Sequence, residues 1–455
     1  MSERGHCRWV CFQRLSQALC GIFAFLVNSL FSGNGLCQAS ISLGCVSLRR
    51  ASTCGTIVFV IISSMPMFLD GIRVVELAEA LAGPYCAMML GDLGADVIKI
   101  ERPGGGDQSR GWGPPFVGTE SAYFLATNRN KRSITLDYDH PSGAEVLERL
   151  LARADVFISN QPSLESLERR GIDPRTLRAR YPRLIYCAIT GYGFSGPKMG
   201  LPGYDILAQA EAGVMSFTGE PDGGPMRFPI AIADMTAGIY AAMGILAALY
   251  ARQHTGQGDF LDLALFDSQF TWLANIGSNY LNAGVEPQRW GNAHPSIVPY
   301  QPFRGSDGRS FVVAIGTQTL WQRLVRLLDL EEEFASDLRF ATNPDRIRHR
   351  EQLIPLLQQE FESRPSTAWL ERLALAGIPA APIQTVGEAL NNPQALSRGL
   401  IVEIDHPALK TARSIANPVR SQAHPILYRL PPPLLGEHTS EILRELQFSD
   451  DVKVM

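Results

Sequence analysis

The stretch FPIAIADMTAGIYAAMGILAALYA, from Phe228 to Ala251, contains a single charged residue, Asp234. An unpaired carboxylate in apolar surroundings is costly by roughly several kcal/mol, so its presence calls for a role. Two roles fit the spacing. Aspartate is a favoured N-cap, and Asp234 stands immediately before an alanine-rich run that reads as a helix, where its oxygens would accept from the N–H groups two and three residues on. The other role keeps the carboxylate ionised at the rim of a pocket, where a helix N-terminus favours negative charge; that describes a nucleophile or a base.

The chain that must position this residue has 455 residues, 45% of them hydrophobic and 19% charged, which suits a globular protein of two domains. A net charge of −4 supplies no electrostatic reason to expect nucleic acid or an anionic membrane surface. No zinc-ligand spacing, Walker A loop or HExxH run is present, so no metal chemistry is expected.

Six of the eight cysteines (Cys7, Cys11, Cys20, Cys37, Cys45, Cys54) lie in the first 54 residues. Cys86 and Cys187 alone serve the remainder, too few for a disulfide framework. The first 66 residues differ in kind from the rest of the chain. Glu3 is their only acidic residue, against Arg4, Arg8, Arg14, Arg49 and Arg50, and the apolar patches ALCGIFAFLVNSLF and GTIVFVIISSMPMFL are short for a bilayer span. A mitochondrial targeting segment, a signal or anchor, and an extension from an upstream start codon all fit this composition. Residues 1–66 are therefore set outside the expected fold, whose compartment is the cytoplasm of a bacterium or, with a cleaved leader, the mitochondrial matrix.

From residue 70 onward, apolar runs alternate with amphipathic ones. IRVVELA, DVIKIE, RSITLDY, DVFISN and RLIYCAITGYG read as strands, PYCAMMLGDLGA and HPSGAEVLERLLARA as helices. This rhythm predicts an α/β fold, a Rossmann-like parallel sheet with helices on both faces. The first strand–helix turn, AEALAGPY, lacks GxGxxG, so a nicotinamide cofactor has no direct support. Past about residue 265 the rhythm breaks. We expect a large domain over 67–265, a linker over 266–290, a smaller α+β domain over 291–390 with a charged helical region from Trp321 to about Ala376, and a C-terminal segment, 391–455, returning to the large domain.

The runs GIRVVELAEALAGPYCAMMLGDLGADVIKIERPGGGD, NRNKRSITLDY, DVFISN, YCAITGYGFSGP, PGYDILAQAEAGVMSFTG and ADMTAGIYAAMGILAAL, in this order, resemble the class III CoA-transferases (CaiB/BaiF type) over roughly residues 68–450. WGPPFVGTESAYF, RWGNAHPSIVPYQPF and PPPLLGEHT are similar to the dicarboxylate branch that includes succinate–hydroxymethylglutarate CoA-transferase. The resemblance implies an interlocked-ring homodimer and a CoA thioester as substrate, with no permanently bound cofactor and no membrane association for residues 67–455. It makes Asp234 the nucleophile. It places Leu81, Ala82, Arg102, Leu136, Asn160 and Arg169 along bound CoA, the two arginines at its phosphates. Asp139 falls on the adenine side, where the family often has lysine, and QPSL replaces the family's FRPG after Asn160. On the acyl side the resemblance implies Trp112, Tyr204 and Asp205 near the reacting carbon, with Arg289 and His294 for the far carboxylate of a diacid. Succinyl-CoA is the expected donor.

By themselves several of these residues read more simply: Trp112 as packing, Arg102 and Arg169 as solvated surface cations, His294 as a loop histidine. Two other functions stay open. An α-methylacyl-CoA racemase shares the fold but places a histidine where this chain has Tyr204, a poor proton shuttle at neutral pH. A non-catalytic CoA-binding protein would need no nucleophile.

Overall fold

The computed structural model describes residues 40–42, 45–47, 65–335 and 337–448. The targeting, anchor or extension readings of residues 1–66 concern a segment that lies almost wholly outside the described residues. Within it, Ser40–Ser42 and Cys45–Ser47 form a short antiparallel ribbon.

The strand pattern of the body folds as its alternation predicts. Six strands, β1 (Arg73–Leu77), β2 (Asp96–Glu101), β3 (Lys131–Thr135), β4 (Val156–Ser159), β5 (Ile185–Thr190) and β6 (Phe260–Ala264), form one sheet. The spatial order is 6-5-4-1-2-3 and every neighbouring pair is parallel. This is the doubly wound order, whose direction reverses between β1 and β4; ligands of such sheets bind outside the carboxyl ends of the strands at that reversal. Burial on both faces explains the near-continuous apolar runs of the strands. Val74, Val97, Ile158 and Cys187 face one core, and Val75, Ile98, Phe157 and Tyr186 the other.

On the first face lie α1 (Ala82–Asp92), α3 (Asp205–Glu211), α4 (Ile232–Thr255) and α5 (Leu265–Phe270). On the second, α2 (Pro141–Leu151) packs beside the C-terminal α9 (Thr439–Glu445), whose Ile442 and Leu443 enter that core. Arg132 of β3 fastens α9 through Glu441 at 2.7 Å and Glu445 at 2.5 Å. α1 opens at Ala82 rather than at Pro84, which occupies its first turn, a position where a missing N–H removes no helical bond. α4 is long and apolar enough to cross a bilayer, yet its inner face (Ala233, Ala237, Ala241, Ile245, Ala248) belongs to the core.

Two close approaches fix the helices that carry the acidic residues. A Cβ on Gly238 would stand 2.7 Å from the carbonyl oxygen of Ala82, so α4 lies backbone-close against the start of α1. A Cβ on Gly203 would stand 2.1 Å from the Cα of Gly191, which brings the chain before α3 back to the end of β5.

Residues 266–283, read from sequence as the beginning of a linker, are largely helical, through α5 and a further helix, Ala274–Ala283. Beyond them, β7 (Tyr300–Arg304), β8 (Ser310–Ala314) and β9 (Ala380–Pro382) form an antiparallel sheet. It shares a separate core, centred on Phe303, Phe311, Phe361 and Trp369, with helices α6 (Gln318–Leu327), α7 (Arg350–Phe361) and α8 (Ser366–Leu375). β10 (Ile401–His406) and β11 (Lys410–Ile415) make a hairpin before α9.

Candidate active site

α4 begins at Ile232 with Ala231 as its N-cap, so Asp234 is the third helical residue. The expectation that Asp234 itself caps the helix is corrected here. The cap comes from another helix: Asp205 Oδ1 accepts from the backbone N–H of Ala233 at 2.8 Å. Asp205 Oδ2 accepts from Gln209 Nε2 at 2.7 Å, and Gln209 Oε1 in turn accepts from the N–H of Phe228 at 2.7 Å, fastening the segment that leads into α4. With the Ala233 N–H taken by the buried Asp205, the carboxylate of Asp234 is not the cap of the helix. Among the described residues it has no side-chain hydrogen bond or ion pair.

Burial, and secondly the charge of Asp205, push the Asp234 carboxyl from 3.8 up to about 7. The group is poorly solvated and unpaired and changes charge near neutrality. Such a carboxylate is suited to nucleophilic attack or proton abstraction.

Tyr123, which sequence reading passed over, belongs beside it. Burial first, then the charges of Asp234, Asp205 and Asp107, raise its hydroxyl to about 12, so it remains a neutral donor throughout the working range. Trp112 stacks edge-on against Tyr123, ring centroids 4.8 Å apart. Ser121 links them: its hydroxyl donates to the Trp112 carbonyl at 2.5 Å and accepts from the N–H of Tyr123 at 3.1 Å. The signal available in sequence was the spacing in WGPPFVGTESAYF, where the tyrosine follows a serine N-cap. Tyr204 stands one residue before α3 and is exposed. A cavity of about 520 Å³ adjoins the first turn of α4, lined by Leu81, Tyr85, Tyr123, Ala231, Met235 and Arg227 among others.

Of the residues expected along CoA, Leu81, Ala82, Arg102, Leu136 and Asn160 follow the carboxyl ends of β1, β2, β3 and β4, and Arg169 closes a short helix, Leu164–Arg169, after β4. Leu81 and Ala82 open α1, which has no side-chain cap. Asn160 grips the same turn, its Nδ2 donating to the Glu79 carbonyl at 2.9 Å and its Oδ1 accepting from the Glu79 N–H at 3.3 Å. Arg102 donates to the Tyr138 hydroxyl at 3.3 Å and lies 3.9 Å from Glu79 Oε1, a loose pair, while 58% exposure of its side chain leaves the guanidinium accessible to a further anion. Arg170 pairs in a fork with Asp139 at 2.6 and 3.0 Å and lies over the Tyr138 ring. The hydrogen bond from Arg170, with the charges of Arg102 and Arg169, holds Asp139 below the usual carboxylate range. Arg102, Arg169 and Arg170 thus form one cationic group, in which Arg170 is the member that sequence reading missed. Leu136 is fully buried in the core, so only its backbone is available to a ligand.

Arg289 donates to the carbonyls of Ser216 at 3.2 Å and Glu220 at 3.3 Å. His294 accepts from the Ser296 N–H through Nδ1, which places its proton on Nε2, and packs against Tyr300. Among the described residues no hydrogen bond or ion pair joins either of them to Asp234. Nor does any group of three or more His, Cys, Asp or Glu side chains there form a metal cradle.

The profile of CoA-transferase family III matches residues 69–439 of this chain. The human succinyl-CoA:glutarate CoA-transferase is 41% identical over 383 residues, which cover 84% of this chain and 87% of that protein. The succinate–glutarate CoA-transferase of Agrobacterium fabrum is 41% identical over 385 residues, 83% of this chain and 96% of that one. A crystal structure of a CaiB/BaiF family protein from Brucella suis superposes with a TM-score of 0.76 at 42% identity, covering 84% of this chain and all of that one.

Proposed function

Because this chain belongs to CoA-transferase family III, we propose that it moves CoA from succinyl-CoA to a short dicarboxylic acid, with Asp234 as the nucleophile. The observation that carries the assignment of Asp234 is the separation of duties at the start of α4: Asp205 caps the helix, and Asp234 is left unpaired with its carboxyl raised to about 7.

In this reading the ionised Asp234 carboxylate attacks the thioester carbonyl, and the thiolate of CoA leaves, giving a mixed anhydride. The thiolate attacks the aspartyl carbonyl, releasing succinate and forming an aspartyl-CoA thioester. The acceptor carboxylate attacks that thioester, CoA leaves again, and its thiolate takes the acceptor acyl group from the second anhydride, regenerating Asp234. The overall transfer of CoA between two carboxylates is close to isoenergetic, and covalent capture keeps the activated acyl group from water. Tyr123 stays protonated and is suited to donate to the oxyanion of each tetrahedral step.

On the CoA side we assign Leu81, Ala82 and Asn160 to the pantetheine-facing turn, Arg102 and Arg169 to the phosphates with Arg170 beside them, and the Leu136 backbone and Asp139 to the adenine side. Trp112, Tyr204 and Asp205 border the acyl group. For the acceptor we assign Arg289 and His294, which would move with their loop to meet the far carboxylate. Residues 67–265 are read as the CoA-binding domain and 291–390 as the smaller one.

A homodimer is part of the proposal. Ile239, Met243, Leu246 and Tyr250, one stripe of α4, are exposed, and such a contiguous apolar face suits a protein interface. The direct test of function is transfer from succinyl-CoA to glutarate and other four- to six-carbon diacids, monitored by the appearance of the new acyl-CoA. Equal efficiency with butyrate would remove the dicarboxylate assignment.

A further inference from the structure

Beneath the turn between β1 and α1 lies a group of charged side chains that the transfer chemistry does not use. Glu76, Lys99 and Lys131 stand on three adjacent strands, β1, β2 and β3, and are fully buried; Asp107 reaches in from the chain after β2. Lys99 Nζ lies 3.1 Å from Glu76 Oε1 and 2.8 Å from Asp107 Oδ2, and Lys131 Nζ lies 2.9 Å from Glu76 Oε2. The four charges cancel. Buried ion pairs are weak contributors to stability, and apolar residues of like volume serve a core as well. Their retention points to a positional task.

The hydrogen bonds identify what is positioned. Lys99 donates to the Ala78 carbonyl at 2.8 Å, Asp107 Oδ1 accepts from the Ala80 N–H at 3.1 Å, and Lys131 donates to the Pro84 carbonyl at 2.9 Å. With Asn160 on both backbone groups of Glu79, each residue from 78 to 80 is held through its backbone by a side chain from elsewhere in the fold. Ala80 needs that hold, because its φ of 71° is in the left-handed region that alanine disfavours. Immediately after it come Leu81 and Ala82.

We propose that Lys99 and Lys131, neutralised by Glu76 and Asp107, are positioning residues for acyl-CoA: they hold the 78–84 turn in the one shape that receives the thioester arm. The proposal rests on the reading of Leu81 and Ala82 as CoA contacts. A turn shaped in advance lowers the ordering cost of binding, so loosening it weakens acyl-CoA capture more than acceptor capture.

The two lysines differ in how they hold their protons. Burial pulls Lys99 down, but Glu76, Asp107 and Glu101 outweigh it and keep it above the usual range. Burial takes Lys131 down to about 8, with Glu76 opposing and Lys99 adding to the fall. The groups facing Lys131 are Glu76, Lys99 and Asp107 from the sheet side and Cys86 from α1, whose buried thiol stays protonated. As pH rises past about 8, Lys131 loses its charge and Glu76 is left with one cation.

The test uses the full chain, with CoA binding and steady-state transfer measured from pH 7 to 9.5. For the wild type, the Kd for CoA is expected to rise above about pH 8. A charge-neutral double variant, Lys131→Met with Glu76→Gln, is expected to show an acyl-CoA KM on the order of tenfold higher, a glutarate KM within about twofold, and no rise of Kd with pH. A folded double variant with unchanged acyl-CoA KM overturns the proposal. So does a wild-type Kd that is flat with pH while the variants fail to fold, which would leave the cluster purely structural. If the wild type binds CoA yet transfers it to no acid, the functional reading fails instead, and the Kd comparison still decides the proposal.

Discussion

The central residue of this chain is defined by what another residue does for it. Asp205 caps α4, so Asp234 is free, desolvated and raised to about 7. Because the folded state holds that proton more tightly than the unfolded chain does, the stability it contributes is full below about 3.8 and lost as pH rises through about 7. Asp234→Asn, permanently neutral, should therefore unfold with a higher Tm than the wild type at pH 8 and with the same Tm near pH 4, a gain on the order of a few kcal/mol. Its turnover should fall by several orders of magnitude, since an amide cannot form the anhydride. The acyl-CoA half-reaction of the wild type should rise with pH through about 7, following ionisation of Asp234. Asp205→Asn keeps an oxygen for the Ala233 N–H but removes the neighbouring charge, so it should move that midpoint to lower pH with the helix intact. An unmoved midpoint would mean that burial alone sets it.

At the scale of elements, the sheet was legible and the site was partly so. DVIKIE matched its strand to the residue, Asp96–Glu101, because a short β-branched run, Val97, Ile98 and Ile100, lies between a glycine turn and the Pro103–Gly106 turn. The order of the strands was not legible, since adjacency of β1 and β4 depends on crossovers that no local pattern records. The N-cap was misplaced for a similar reason. Its true donor of charge, Asp205, is 28 residues distant from the N–H it receives, and Ala231–Ala233 carry no capping side chain to mark the start. Asn160 was singled out as a CoA contact, but its grip on Glu79 across 81 residues is a tertiary fact that no local pattern marks. The packing of α4 on α1 makes its own prediction. Gly238→Ala puts a methyl 2.7 Å from the Ala82 carbonyl, so the two helices must separate. The variant should lose roughly 1–3 kcal/mol in denaturant unfolding, and acyl-CoA KM should rise because α1 opens at Leu81 and Ala82. A variant as stable and active as the wild type would show that the helices part freely.

For the whole molecule, the exposed stripe of α4 is the feature that a single chain does not explain. Met243 and Tyr250 are 57% and 68% exposed, one side of a helix whose other side is core. Charging that stripe by Met243→Glu with Ile239→Glu should convert a dimer to monomers in sedimentation velocity; wild-type protein that sediments as a monomer would refute the dimer outright. The proposed transfer begins with covalent capture at Asp234, and that adduct can be weighed. Full-length protein mixed with succinyl-CoA and no acceptor, then quenched and digested, should carry CoA or a succinyl group on the peptide containing Asp234, and glutarate should discharge it. An unmodified Asp234 in protein that nonetheless forms glutaryl-CoA would contradict the covalent mechanism.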